Sequence, residues 1–119
     1  MTGDERFPRS RRLVRAADVR RVLQSGRRSR RSHLDILWAV GEMGHPRLGL
    51  VVPRFRQSAV ARNRLRRRLK ELWRRECQAV LPALDAVIRA RPESYRASFA
   101  ELRDDLLGWR DLVLGTGTP

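Results

Sequence analysis

Residues 58–76, SAVARNRLRRRLKELWRRE, decide how the rest of the chain is read. At helical pitch Leu65, Leu69, Leu72 and Trp73 recur at i, i+4, i+7 and i+8 and fall on one narrow face. Asn63, Arg67, Lys70 and Arg74 form a polar stripe on the same wheel, and Arg64, Arg68, Glu71 and Arg75 form a second beside it. The spacing predicts a helix of about five turns that buries a thin apolar seam and holds out two rows of nitrogen donors. Ser58 is the N-cap candidate, although no Glu or Gln follows at the third position. A solvated helix face usually mixes Glu with Lys, which gains i,i+4 pairs and avoids self-repulsion. Here Glu71 and Glu76 alone oppose Arg62, Arg64, Arg66, Arg67, Arg68, Lys70, Arg74 and Arg75. Such crowding costs stability unless a polyanion neutralises it, and arginine's planar fork grips phosphate through paired bonds. The competing reading is a basic surface that does no more than keep the protein in solution. The one-sided charge favours nucleic acid.

Charge is segregated along the 119 residues. Residues 1–31 hold 11 basic and 3 acidic groups, and residues 54–76 hold 10 and 2, whereas 32–53 and 77–119 are each close to neutral. Two basic blocks separated by neutral segments suggest two elements that converge on one electropositive surface. The length suits one domain with a modest core. No apolar run approaches the roughly 18 residues of a membrane span, and no signal-peptide core is seen. The basic helix has too thin an apolar face to lie on a membrane. Cys77 stands alone, which precludes an internal disulfide and suits a reducing cytoplasm. A cytoplasmic protein with no membrane partner is expected.

Ahead of the basic helix, residues 1–12 read as an irregular basic arm, with Phe7-Pro8 fixing an extended bend and Arg9, Arg11 and Arg12 placed to follow a polyanion. Leu13 tucks the arm onto a body spanning 13–114. Residues 16–25 predict a short helix with Val19, Val22 and Leu23 on one face and Gly26 as its stop. Arg27, Arg28, Arg30 and Arg31 read as a basic loop. Residues 33–40 alternate as a strand, 41–46 form a turn punctuated by Gly41, Gly44 and Pro46, and 47–52 form a second strand. An antiparallel hairpin is therefore expected over 33–52. Arg54 and Arg56 lead into the basic helix.

Beyond Pro82, residues 83–90 predict a third strand. Ser98-Phe99-Ala100-Glu101 is a capping box that opens a last, net-acidic helix, and 115–119 read as a flexible tail. The residues alone thus give the order α-β-β-α-β-α, a small sheet packed with helices in an α+β two-layer sandwich.

The run Ala61-Arg62-Asn63-Arg64-Leu65-Arg66-Arg67, continued by Leu69-Lys70-Glu71, resembles the signature of the bacterial ribonuclease P protein subunit. Three further segments fit in the right order: Gly44 to Leu50, Leu84 to Pro92, and Phe7-Pro8 with Arg12-Leu13. Together they span about residues 6–113. The resemblance implies a mostly antiparallel sheet of about four strands with three helices, order α-β-β-(β)-α-β-α, and a left-handed crossover carrying the basic helix. It implies a subunit that binds a catalytic RNA and helps it remove the 5′ leader of precursor tRNA, with no obligate protein partner. The RNA-contacting positions carry over as Arg62, Asn63, Arg64, Arg66, Arg67 and Lys70, and Arg74 continues the stripe. Asn63 has two readings, a contact to the RNA backbone or a structural cap.

The family's second surface is a cleft between first helix and sheet, where aromatic rings stack on the single-stranded leader. This sequence departs from that pattern. Val19 and Leu23 stand where phenylalanine is usual, and Leu37, with Trp38 beside it, where tyrosine is frequent. Either the cleft holds the leader by aliphatic contact and phosphate pairing, with Arg54 and Arg56 contributing, or Trp38 takes over after a one-residue register shift. Trp38 as an ordinary core residue is the simpler alternative.

No catalytic residue and no metal site is expected in the protein. Its carboxylates read mostly as a solvated face of the last helix, and one cysteine with two histidines cannot build a structural zinc site. The resemblance assigns the chemistry to magnesium ions used by the RNA. Three other classes compete: a general or ribosomal RNA-binding protein without a processing role, a stand-alone nuclease, and a helix-turn-helix DNA reader. The last is disfavoured because a loop and strand, not a helix, precede the basic helix.

Overall fold

The computed structural model describes residues 7–115, so the first half of the expected arm and nearly all of the expected tail lie outside the described residues. The elements are α1 (Ala16–Ser25), β1 (Arg27–Arg30), β2 (Leu34–Val40), β3 (Arg47–Val51), α2 (Ala59–Glu76), β4 (Leu84–Ala90) and α3 (Phe99–Val113), with 3₁₀ turns at Arg9–Arg11 and Pro92–Arg96. The four strands form one sheet in the order β1-β2-β4-β3, with β3 parallel to β4 and the other two pairings antiparallel.

Two sequence expectations fail here, for related reasons. The antiparallel hairpin over 33–52 does not form, because β4 sits between β2 and β3. β4 is buried on both faces, which a central strand requires and an edge strand does not. The segment 41–46 therefore passes over the end of β4 and spans two strand spacings, about 10 Å. The supposed basic loop is the fourth strand, β1, which pairs with β2 from Arg27↔Trp38 to Arg30↔Asp35. An edge strand carrying arginines needs no apolar residue to pair its backbone, and its charge discourages further edge pairing.

Each face of the sheet carries its own core. On one side α2 and α3 close over Leu34, Ile36, Leu48, Leu84 and Ile88, with the α2 seam of Leu65, Leu69, Leu72 and Trp73 buried as the spacing predicts. Three indoles occupy its centre: Trp73 stacks on Trp109 at 6.0 Å, and Trp38 meets Trp109 edge-on at 5.8 Å. Cys77 lies in the same core, where burial pushes its thiol up to about 12. On the other side α1 packs Val22, with Val19 and Leu23, over Leu13, Leu37 and Val87. α1 ends at Gly26 for a reason other than the left-handed cap its sequence suggests. Gly26 is extended, and a Cβ there would stand 2.4 Å from the Val22 carbonyl oxygen and 2.8 Å from that of Trp38.

The capping box of α3 forms as expected: Ser98 Oγ accepts from the Glu101 amide, and Glu101 accepts from the Ser98 amide. Among the described residues no helix is long and apolar enough to cross a membrane.

Candidate nucleic-acid interface

Burying one seam of α2 fixes which way its cations point. Ser58 Oγ accepts from the Ala61 amide at 3.0 Å and starts the helix. Asn63 is exposed in the second turn and caps nothing, so its structural alternative falls away. Arg64, Arg67 and Arg75 are exposed; Arg62, Arg66, Arg68, Lys70 and Arg74 are half-buried. Arg62 is partly committed to the fold, because its Nε donates to the Val52 carbonyl at 2.6 Å and ties the helix start to the end of β3. Near the other end Glu71 takes Arg74 at 2.5 Å and Arg75 at 2.8 Å. The Arg74 hydrogen bond is the largest cause holding the Glu71 carboxyl below its ordinary range. Between these ends Arg64, Arg66, Arg67, Arg68 and Lys70 form no ion pair among the described residues.

The arm supplies the next cation. Arg12 donates from Nε and Nη2 to the Phe7 carbonyl, and its guanidinium lies 5.4 Å from the Phe7 ring centre. Arg12 bridges to Leu48, and the Leu13 amide donates to the Leu48 carbonyl at 2.8 Å, so the arm is fastened along the free edge of β3. Arg12, Arg66 and Lys70 meet there around a recess of about 250 Å³ floored by Leu48, Gly49 and Leu50. Lys70 is the single lysine of the sequence. Its ammonium is held below the usual lysine range by burial first, then by Arg66 and Arg12. Among the described residues no carboxylate lines this recess, so the three cations face one another.

The cleft lies on the opposite face. Residues 35, 37 and 39 of β2, 85, 87 and 89 of β4, 47, 49 and 51 of β3, and Arg28 and Arg30 of β1 share the α1 side, as the pairing register dictates. α1 is clamped at one end of this face. Fully buried Asp85 takes Arg47 at 2.8 and 2.9 Å and Arg21 at 2.5 Å, while Asp18 lies 3.8 Å from Arg47. The Asp85 hydrogen bond is the main cause that raises Arg47 above its ordinary value. Val19 and Leu23 pack here with Leu37, so three of the expected cleft residues come together.

Trp38 does not join them. It faces the α2–α3 side, is 8% exposed, and lies against Trp109 with Arg27 5.4 Å from its ring. The register-shift alternative is excluded, since shifting β2 by one residue would exchange both cores. Arg54 and Arg56 are exposed in the loop at the far end of the sheet, beyond the end of β3.

Sequence reading missed Arg28, Arg30 and Arg89, which stand on the cleft face. Arg28 pairs with Asp35 at 3.1 Å, whereas Arg89 has no ion pair among the described residues although Asp35 is its cross-strand neighbour. Alternation with Val87 would have placed Arg89 once β4 was recognised as central.

Among the described residues no group of three or more His, Cys, Asp or Glu side chains is placed to hold a metal ion. Asp105, expected on a solvated face, is buried instead and accepts from the His33 amide at 2.8 Å, with His33 Nδ1 at 3.2 Å.

With this geometry in place, comparison with known proteins is decisive. The profile of the Ribonuclease P family matches residues 7–111. The chain belongs to the ribonuclease P protein family. The "Ribonuclease P protein component" of Syntrophobacter fumaroxidans is 37% identical over 108 residues, covering 90% of this chain and 91% of that one. That of Acidothermus cellulolyticus is 39% identical over 108 residues, covering 86% and 89%. The solved ribonuclease P protein from Thermotoga maritima superposes with a TM-score of 0.75 at 27% identity, over 86% of this chain and 96% of that one. The α+β fold of four strands and three helices is thus that of the ribonuclease P proteins, and the family's Arg-Asn-Arg run begins the exposed ridge of α2.

Proposed function

We propose that this protein binds the catalytic RNA of ribonuclease P through α2 and the arm, and the 5′ leader of precursor tRNA through the cleft under α1, so promoting removal of the leader. The observation that carries the first half is the row of five α2 cations that form no ion pair among the described residues, joined by Arg12 at the β3 edge. A helix whose positive charges have no internal partner is stabilised by an external polyanion, and the phosphate backbone of a folded RNA supplies one. Arg64, Arg66, Arg67, Arg68 and Lys70 neutralise phosphates; Asn63 adds a neutral hydrogen bond beside them; Arg62 sets the angle at which the ridge leaves the sheet.

The cleft binds by a different balance. Its wall is aliphatic at Val19, Leu23 and Leu37, and its floor carries Arg89, Arg30 and Arg28, so it suits an extended strand held by phosphate pairing and apolar contact. Bond cleavage belongs to the RNA, and the magnesium ions that serve it are held there. The protein contributes charge neutralisation and position, which lowers the divalent ion the ribonucleoprotein needs.

Leader length tests this reading. Holoenzyme reconstituted from the catalytic RNA and this protein should bind precursor tRNA with a long leader more tightly than tRNA with none, and Arg89→Ala should reduce that difference. Equal gains for both substrates would overturn the cleft assignment. Failure to stimulate the RNA at all would return the protein to the general RNA-binding class.

A further inference from the structure

Among the described residues the cleft wall carries no aromatic ring, but the loop between β3 and α2 offers one. Phe55 is the one aromatic among the exposed large hydrophobic side chains of the described residues, with 42% of its surface open. Its backbone is costly: Phe55 has φ 48° and Arg56 φ 67°, two successive non-glycine residues in the left-handed region. Neither burial nor a tight turn through glycine accounts for a bulky ring held there, and strain of this kind concentrates at binding sites.

The surroundings hold the ring in place. Tyr95 Oη donates to the Pro53 carbonyl at 2.7 Å, and the Tyr95 and Phe55 rings form a T-shaped pair at 6.4 Å. The turn is closed by the Gln57 amide donating to the Arg54 carbonyl at 2.7 Å and by Arg54 Nε donating to the Gln57 carbonyl at 3.2 Å. Phe55 borders a recess of about 470 Å³ that also touches His33, Gln57, Pro92 and Arg96. Its two carboxylates are already engaged, Glu93 by Arg91 at 3.3 Å and Glu101 by the amide of Ser98 at 2.9 Å. Exposed Arg54, Arg56 and Arg96 supply positive charge around this aromatic surface.

We propose that Phe55 is a stacking platform for one unpaired base of single-stranded RNA, with the adjoining phosphates met by Arg54, Arg56 and Arg96. The platform stands at the end of the sheet where β3 and β4 finish, the end away from the α1 clamp, and Phe55 follows Val51, the β3 partner of Arg89, by four residues. This inference rests on the leader-binding reading above. It gives that reading a ring where Val19 and Leu23 provide none.

The test uses reconstituted holoenzyme and precursor tRNA whose leader carries 2-aminopurine at each position in turn, under conditions that block cleavage. With the wild type, one leader position should be quenched on binding; Phe55→Ala and Phe55→Leu should abolish the quench, and Phe55→Trp should keep it. Phe55→Ala should weaken binding of the long-leader substrate on the order of ten-fold and leave leaderless tRNA unchanged. A melting temperature no lower than wild type separates lost stacking from lost folding. If wild type gains from the leader and Phe55→Ala gains equally, with the quench intact, the platform is refuted and the cleft stands. If wild type itself gains nothing from the leader, both readings fall.

Discussion

Removing two cations from the β3-edge site should change how RNA affinity depends on salt, by an amount the structure sets. Arg66 and Lys70 converge with Arg12 there, and neither has a carboxylate partner among the described residues. Each phosphate neutralised contributes about 0.9 to the slope of log affinity against log salt. If the five unpaired cations of α2 and Arg12 each meet one phosphate, the wild-type slope is about −5.4 and affinity falls roughly a thousand-fold between 50 and 200 mM salt. Arg66→Ala with Lys70→Ala should flatten the slope by about 1.8 and cut the salt sensitivity over that range about twelve-fold.

Fluorescence anisotropy of labelled catalytic RNA, at fixed magnesium and four monovalent salt concentrations, reads this directly. Arg103→Ala is the control, because Arg103 lies on α3 and pairs with Glu76 at 2.8 Å; its slope should match the wild type. The double variant should fold at least as well as the wild type, since it removes like-charge repulsion and a desolvated ammonium. A slope unchanged within about 0.3 would refute the assignment of this face to RNA.

Lys70, the Asp85 clamp and Phe55 each give a further expected outcome. Lys70 is the one lysine, so amine acylation reports on it apart from the chain start; RNA should protect it. Its depressed pKa means that the unfolded chain binds the proton more tightly, so Lys70 adds stability as pH climbs through the lysine range; the raised Cys77 thiol removes stability over the same range, so the Lys70 part is the difference between wild type and Lys70→Ala. Asp85→Asn should leave Arg47 and Arg21 without their shared carboxylate and cost about 3 kcal/mol in urea denaturation, the lower end of the usual range because Arg21 is partly exposed; a loss under about 1 kcal/mol would show that the clamp adds little. Phe55→Gly should relieve the left-handed backbone and stabilise the fold by about 1 kcal/mol while weakening single-strand binding, and a lower melting temperature would show that the ring is held for packing instead.

The helices could be read from the sequence because their signals are local. The α2 seam, the Ser58 and Ser98 caps and the start of α3 each depend on residues within a turn or two. Strand pairing does not. Leu34 to Val40 and Arg47 to Val51 looked like a hairpin because a short turn-rich segment joins them, and only the two-sided burial of a strand more than thirty residues later shows that they are separated. β1 was invisible for a different reason: its arginines carry no apolar alternation, and its pairing is made by backbone groups alone.

The ridge could likewise be predicted, since one buried seam fixes where every other side chain of α2 points. The cleft could not, because its face is assembled from four strands whose order was unknown. Trp38 and Leu37 are neighbours in sequence and lie on opposite faces of the sheet, so the side taken by either depends on the register.

The central claim is that the protein neutralises a ribozyme and leaves the chemistry to it. The most direct measurement is a magnesium titration of precursor tRNA cleavage by the catalytic RNA, with and without the protein. The protein should shift the midpoint to lower magnesium, the Arg66→Ala/Lys70→Ala variant should recover only part of the shift, and the protein without RNA should cleave nothing. Identical titrations with and without protein, or magnesium-dependent cleavage by the protein alone, would contradict it.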